Sequence, residues 1–360
     1  MELAKKILYR IKNDSSLKEQ FYKLSPTLFD VTLRDGIQSM QSMSTSSKLV
    51  NFNEIVRKMQ PDNIEIGSLV SPKVLPIMSD TPEFYNECMQ NIENLNSVEE
   101  LRSNFIEEIP TPNLYVLIPT RMDKYNKAVK MGIQNISIMS SVSNEFLMKN
   151  TNKNMDDTKS MLSSILSCNK MNVKMYLSCI NECPIIGKID NNKVIEEIIY
   201  YNKYYKLNEI CLSDTCGSLN FNDFKEIIDN SLDYVPSNKI SLHLHTNDTN
   251  EVEKIINYSL EKNIKKFDVS AFSNKGGCSV TIEDKNKLQP NLTYDLFYDI
   301  LLKYLINNQK PPPLEPDSGT GSTTNSTPII DNKLIHNNPN NSPHINDDYE
   351  DYEEELIIYA

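Results

Sequence analysis

The sequence predicts a closed (β/α)8 barrel, a TIM-type α/β fold, followed by a disordered acidic C-terminal tail. Three observations predict it. Eight short runs rich in β-branched and aromatic residues recur between residues 27 and 271, each followed by a stretch with helical apolar spacing. Six of only nine glycines (Gly36, Gly67, Gly187, Gly217, Gly276 and Gly277) fall just after such runs, where a barrel carries its ligand-binding loops. And the last 50 residues hold ten acidic groups against one lysine, in a setting of Pro, Asn, Ser and Thr.

The elements follow in order. Residues 1–24 are amphipathic and basic, but Glu2, Asp14 and Glu19 interrupt the acid-poor composition expected of a transit peptide. They are read as an N-terminal helical extension, with a mitochondrial leader as the alternative. The barrel is assigned to 25–308. Its strand candidates are TLFDV (27–31), NIEIGS (63–68), NLYVLI (113–118), NISIMS (135–140), VKMYLS (173–178), EICLS (209–213), KISLHLH (239–245) and KFDVSA (266–271). Helical stretches lie between them, for example 51–59, 122–132 with Gly132 placed as a stop, 191–205 and 249–263; a last one, 293–305, follows the eighth strand. An open doubly wound sheet is the competing architecture, but the glycine fingerprint it often carries after its first strand is missing.

Residues 309–360 form the tail. They have no periodic apolar face and cannot bury enough surface to offset chain entropy, so disorder is expected. The formal net charge of −12 sits mostly there; the first 310 residues carry 39 acidic and 36 basic groups. An acidic chain without a basic footprint argues against nucleic-acid binding. No run approaches the roughly 20 apolar residues of a membrane span. Seven cysteines, odd in number and without paired metal spacing, point to a reducing compartment, hence a cytoplasmic location with the mitochondrial matrix as alternative. The partner of the tail is unreadable, and a homodimer is kept open.

Two of the four histidines lie in the tail. The others, His243 and His245, stand two apart at the end of the seventh strand and so point to one face. Two imidazoles joined by a carboxylate suit Mg2+, Mn2+, Zn2+ or Fe2+; a neutral structural pair is the alternative. Asp35, at the end of the first strand, can supply the carboxylate, because only the eighth strand separates the two in a closed barrel. Asp30 competes from deeper in the strand. Arg34, Glu65 and Asp214 are further charged groups at strands one, two and six, expensive to bury without a task. Arg34 can stabilise an enolate or carboxylate, or pair with Glu65 or Asp214. Cys278, after a Gly-Gly pair, is a candidate proton donor or base.

Taken together, TLRDG (32–36) and HLHTND (243–248) resemble the DRE-TIM metallolyases, the pyruvate-carboxyltransferase-like barrels. IEIGSLVSPKVLPIM (64–78), SNEFLMKN (143–150), MYLSCINECPIIGKI (175–189) and DVSAFSNKGGCS (268–279) are similar to the 3-hydroxy-3-methylglutaryl-CoA (HMG-CoA) lyase branch. The resemblance spans roughly residues 25–300. It implies a divalent metal, Mg2+ or Mn2+, on Asp35, His243 and His245. It implies an acyl-CoA substrate and retro-Claisen cleavage, with Arg34 at the leaving enolate and Cys278 in proton transfer. Glu65 and Asp214 become supporting acids. The loop after Cys278 departs from the family pattern: Ser279 replaces its Pro, Asn274 stands where it usually has Gly, and its asparagine ligand falls on Asn286 or Asn291. That erosion predicts slow turnover. A condensing synthase or aldolase of the same superfamily, and a catalytically degenerate barrel acting as a binding protein, are the competing functions.

Overall fold

The computed structural model describes residues 1–102, 111–168, 170–273, 282 and 288–308. Met1–Lys310 is one compact unit; the segment Pro311–Ala360 lies outside the described residues, as do Cys278 and Asn286.

Ten strands are described: β1 Thr27–Asp30, β2 Asn63–Ser68, β3 Asn113–Leu117, β4 Asn135–Ser141, β5 Asn172–Ser178, β6 Glu182–Cys183, β7 Gly187–Lys188, β8 Glu209–Ser213, β9 Ile240–His243 and β10 Lys266–Val269. Eight of them close into a parallel barrel in the order β1-β10-β9-β8-β5-β4-β3-β2, while β6 and β7 form a small antiparallel hairpin after β5. Every predicted run is a barrel strand. The seventh ends earlier than its sequence pattern because the chain changes partner: Leu244 accepts from Leu292 N–H, and His245 bridges Asn291.

The helices are α1 Glu2–Asn13, α2 Ser15–Leu24, α3 Thr45–Lys58, α4 Thr81–Arg102, α5 Met122–Lys130, α6 Asn144–Thr151, α7 Met155–Ser167, α8 Asn191–Tyr204, α9 Phe221–Ser231, α10 Thr249–Glu261 and α11 Tyr294–Asn307. Gly132 lies just past α5 with φ +74°, the left-handed backbone that a helix stop requires. The N-terminal stretch is two helices. Asp14 breaks it by accepting from Ser16 and Leu17 N–H, an N-cap for α2. Ala4, Ile7, Ile11 and Leu17 join the main core, and Asp295 at the start of α11 binds the Met1 ammonium at 2.8 Å and Ala4 N–H at 2.8 Å.

The interior of the barrel is polar. Lys174 on β5 reaches Asp268 on β10, three strands away around the wall, and Glu65 on β2 reaches Tyr176 on β5. Only a path through the interior permits such contacts. Because side chains alternate along a strand, Val173, Met175, Leu177, Leu242 and Phe267 face outward. Phe267, for instance, meets Phe297 of α11 with ring centroids 5.2 Å apart. The apolar core is therefore largely a shell between strands and helices.

A candidate metal centre at the barrel mouth

Asp35 lies in a one-turn π-helix, Thr32–Gly36, directly after β1; Gly36 N–H donates to Val31 O, five residues back, at 3.0 Å. Such wide turns recur at functional sites. The turn leaves both Arg34 and Asp35 buried at the end of the barrel.

His243 ends β9 and His245 follows it. The Asp35, His243 and His245 ligand atoms lie within 4.8 Å of one another, and all three side chains are buried. Each imidazole Nε2 stands 3.8 Å from Asp35 Oδ2. The opposite nitrogens are held: His243 Nδ1 is 3.1 Å from Asp268 Oδ2, and His245 Nδ1 is 2.7 Å from Asp214 O. An acceptor at Nδ1 keeps the proton there and turns the Nε2 lone pair inward, as a metal ligand requires. His245 Nε2 is buried with no hydrogen-bond partner among the described residues. Burial raises the Asp35 carboxyl, but the Arg34 guanidinium and the two histidines outweigh it and hold it well below the usual range. This donor set, one anionic oxygen and two imidazole nitrogens, fits a divalent ion.

Arg34 donates through Nε to Glu65 and through Nη1 to Asp35, and its guanidinium lies 5.2 Å from the Tyr176 ring centroid. Glu65 also accepts from Ser137 and, at 3.2 Å, from the Tyr176 hydroxyl. Of the two pairings open to Arg34 from sequence, the structure contains the one with Glu65. Gln38 donates to Asp35 Oδ1 at 2.6 Å. Asp214 is buried, and its carboxylate accepts from Ser218 and Leu219 N–H, which staples the loop after β8; burial raises its carboxyl. Asp214 thus meets His245 through its backbone carbonyl. Asp30 is occupied elsewhere, accepting from Thr32 N–H, Thr32 Oγ1 and Tyr294 OH at 2.9 Å each.

Asn291 faces His245 across an isolated bridge, and both polar atoms of its amide are buried without a hydrogen-bond partner among the described residues. The centre opens into a cavity. Its polar wall includes Arg34, Asp35, His243 and His245; its apolar wall includes Val70, Val74, Leu75, Leu117, Met139 and Phe146. Sequence reasoning missed Lys174, Tyr176 and Asp268. Asp268 is buried, which raises its carboxyl, yet Lys174 and His243 hold it below the usual range. Their signal was alternation: Lys174 and Tyr176 share one face of β5 and Asp268 one face of β10, opposite apolar neighbours.

The HMGL-like family model matches residues 25–252, well over half the chain. The chain belongs to the HMGL-like family. Among curated relatives, the mitochondrial hydroxymethylglutaryl-CoA lyase of Macaca fascicularis is 26% identical over 223 residues, 61% of this chain and 62% of that protein. The cytoplasmic 3-hydroxy-3-methylglutaryl-CoA lyase of Homo sapiens is 26% identical over 256 residues, 70% of this chain and 63% of that protein. The match thus spans less than two thirds of either relative. An HMG-CoA lyase from Acinetobacter baumannii, solved in complex with coenzyme A and 3-methylmalate, has a TM-score of 0.62 at 20% identity, covering 81% of this chain and 97% of that one. That likeness concerns the fold. No helix among the described residues is long and apolar enough to cross a membrane.

Proposed function

We propose that this HMGL-like barrel is a divalent-metal-dependent carbon–carbon lyase. Its substrate is a 3-hydroxy-3-methylglutaryl-type CoA thioester, and its products are acetyl-CoA and a keto acid. The observation that carries the reading is the convergence of Asp35, His243 and His245 beside a buried arginine at one cavity wall.

The chemistry asks for two things. The tertiary hydroxyl must lose its proton as the C2–C3 bond breaks, so that C3 becomes a ketone. The electron pair of that bond moves onto C2 and the thioester carbonyl as an enolate, which then takes a proton at C2. A divalent ion held by Asp35, His243 and His245, with Asn291 as a fourth ligand, would supply Lewis-acid stabilisation of the hydroxyl oxygen. Arg34 faces the negative charge that develops on the thioester oxygen, and Glu65 holds the guanidinium in place from behind. Asp214 positions His245 through its carbonyl. Cys278 is assigned the proton delivered to the enolate.

The experiment is acetyl-CoA release from 3-hydroxy-3-methylglutaryl-CoA by the full chain with Mg2+ or Mn2+. Metal-dependent release, removed by chelation and lowered strongly in Arg34→Met, supports the reading. No release from this thioester or its 3-substituted homologues, with metal demonstrably bound, overturns it in favour of a binding role.

A further inference from the structure

The two imidazoles are oriented by different chemistry. His245 is held by a backbone carbonyl, but His243 is held by Asp268, and Asp268 does not stand alone. Its second oxygen takes the ammonium of Lys174. Lys174 also pairs with Glu209 Oε1 at 2.9 Å and lies 3.6 Å from the centroid of the Phe29 ring. Glu209 accepts from Ser241 Oγ at 2.7 Å and meets Lys266 at 3.3 Å near the opposite end of the barrel. Alternating charges thus run from the floor of the barrel to one imidazole at its mouth. Lys174 and Asp268 are each only 1–2% exposed.

A buried pair of this kind often stabilises a fold less than apolar residues of the same volume would. Its geometry, however, serves His243. Asp268 can present only acceptors to Nδ1 while Lys174 holds its other oxygen, so the ring proton stays on Nδ1. The Nε2 lone pair then faces Asp35.

We infer that Asp268 and Lys174 are positioning residues that lock His243 in its Nδ1–H tautomer and thereby preform the metal centre. The inference rests on the metal-centre reading above, not on the substrate. The Asp268 carboxylate sets the tautomer, Lys174 sets the Asp268 carboxylate, and Phe29 with Glu209 fixes the Lys174 ammonium.

The test needs no substrate. Full-length protein labelled with 15N-histidine carries four imidazoles, two of them in the tail, so the ring-nitrogen spectrum is sparse. Metal-free parent protein should show His243 as the Nδ1–H tautomer. Asp268→Asn presents an amide N–H to Nδ1 and should move the proton to Nε2, leaving the His245 signals in place. Mn2+ affinity, titrated on the same samples, should fall about 10- to 100-fold. Lys174→Arg, which keeps the charge, should show neither change and stay near the parent. If Asp268→Asn fails to fold, the parent spectrum still decides: His243 protonated at Nε2 in the metal-free parent overturns the inference. A folded Asp268→Asn with parental tautomer and parental Mn2+ affinity also overturns it. Neither result bears on thioester cleavage, so the lyase proposal is judged separately by acetyl-CoA release.

Discussion

Asn291 stands in bridge register with His245, and among the described residues neither its amide oxygen nor its amide nitrogen has a hydrogen-bond partner although the residue is 1% exposed. A buried amide left unmade costs about 1–3 kcal/mol, so its retention beside the two histidines is informative. Metal-free Asn291→Ala should melt no lower than the parent, while the rise in melting temperature on adding Mn2+ should shrink. Scanning calorimetry with and without the ion checks this. A variant with the full parental metal-induced shift would remove Asn291 from the centre.

Arg34 should matter to turnover and to stability for different reasons. Arg34→Met removes a contact to charge that develops only as the carbon–carbon bond breaks, so kcat should fall by about 10²–10³. It also leaves Glu65 buried without its cation, a change that typically costs about 3–5 kcal/mol. The double variant Arg34→Met with Glu65→Gln should recover much of the stability and none of the rate. Urea titration beside steady-state kinetics separates the two effects, and recovery of both would contradict the role given to Arg34.

Asp30 makes stability depend on pH. Burial lifts its carboxyl to about 7, against the opposing donors on Thr32 and Tyr294; in an unfolded chain an aspartate titrates near about 3.9. Between those values the folded protein keeps the proton and the unfolded chain has lost it. Stability should therefore fall as pH rises from about 4 to about 7, by about 1.4 kcal/mol per unit for this group. Asp30→Asn should remove that slope. Urea midpoints at pH 5 and pH 7 for both proteins provide the check, and identical pH dependence would refute it.

The N-terminal helices should be part of the folded unit. Deleting residues 1–24 strips Ala4, Ile7, Ile11 and Leu17 from the core and exposes the face of α11 they cover. Full burial of a large aliphatic side chain is worth about 1.5–3 kcal/mol, so the truncated protein should melt well below the parent. A melting temperature unchanged by the deletion would count against this packing.

Much of the fold was legible because each barrel strand announces itself twice, by a β-rich run and by the helical spacing after it. HLH was legible as a converging pair because residues two apart on an extended chain point to one face, and this holds although His245 lies just past the end of β9. Asp35 was legible from the closure of the barrel, although Asp30 competed until Thr32 and Tyr294 were found to occupy it. Lys174 and Asp268 were harder. A lysine in VKMYLS usually signals a face turned to water, and a strand pattern alone does not say whether its polar face lines the interior. Asn291 depended on a return of the chain across β9 that no local pattern encodes. Cys278 and Asn286 lie outside the described residues.

The polar lining of this barrel separates two kinds of evolutionary change. Cohesion comes mainly from the annulus between strands and helices, where Phe267 meets Phe297 and where Leu242 and Met175 point. The charged lining residues Arg34, Glu65, Lys174, Glu209 and Asp268 pair with one another, and their joint replacement by well-packed apolar side chains would leave that annulus intact and could strengthen the fold. Chemistry can therefore be rewritten, or erased, on the inner wall without dismantling the scaffold. A descendant that had lost every catalytic group would still be a stable barrel, recognisable by its outer face alone.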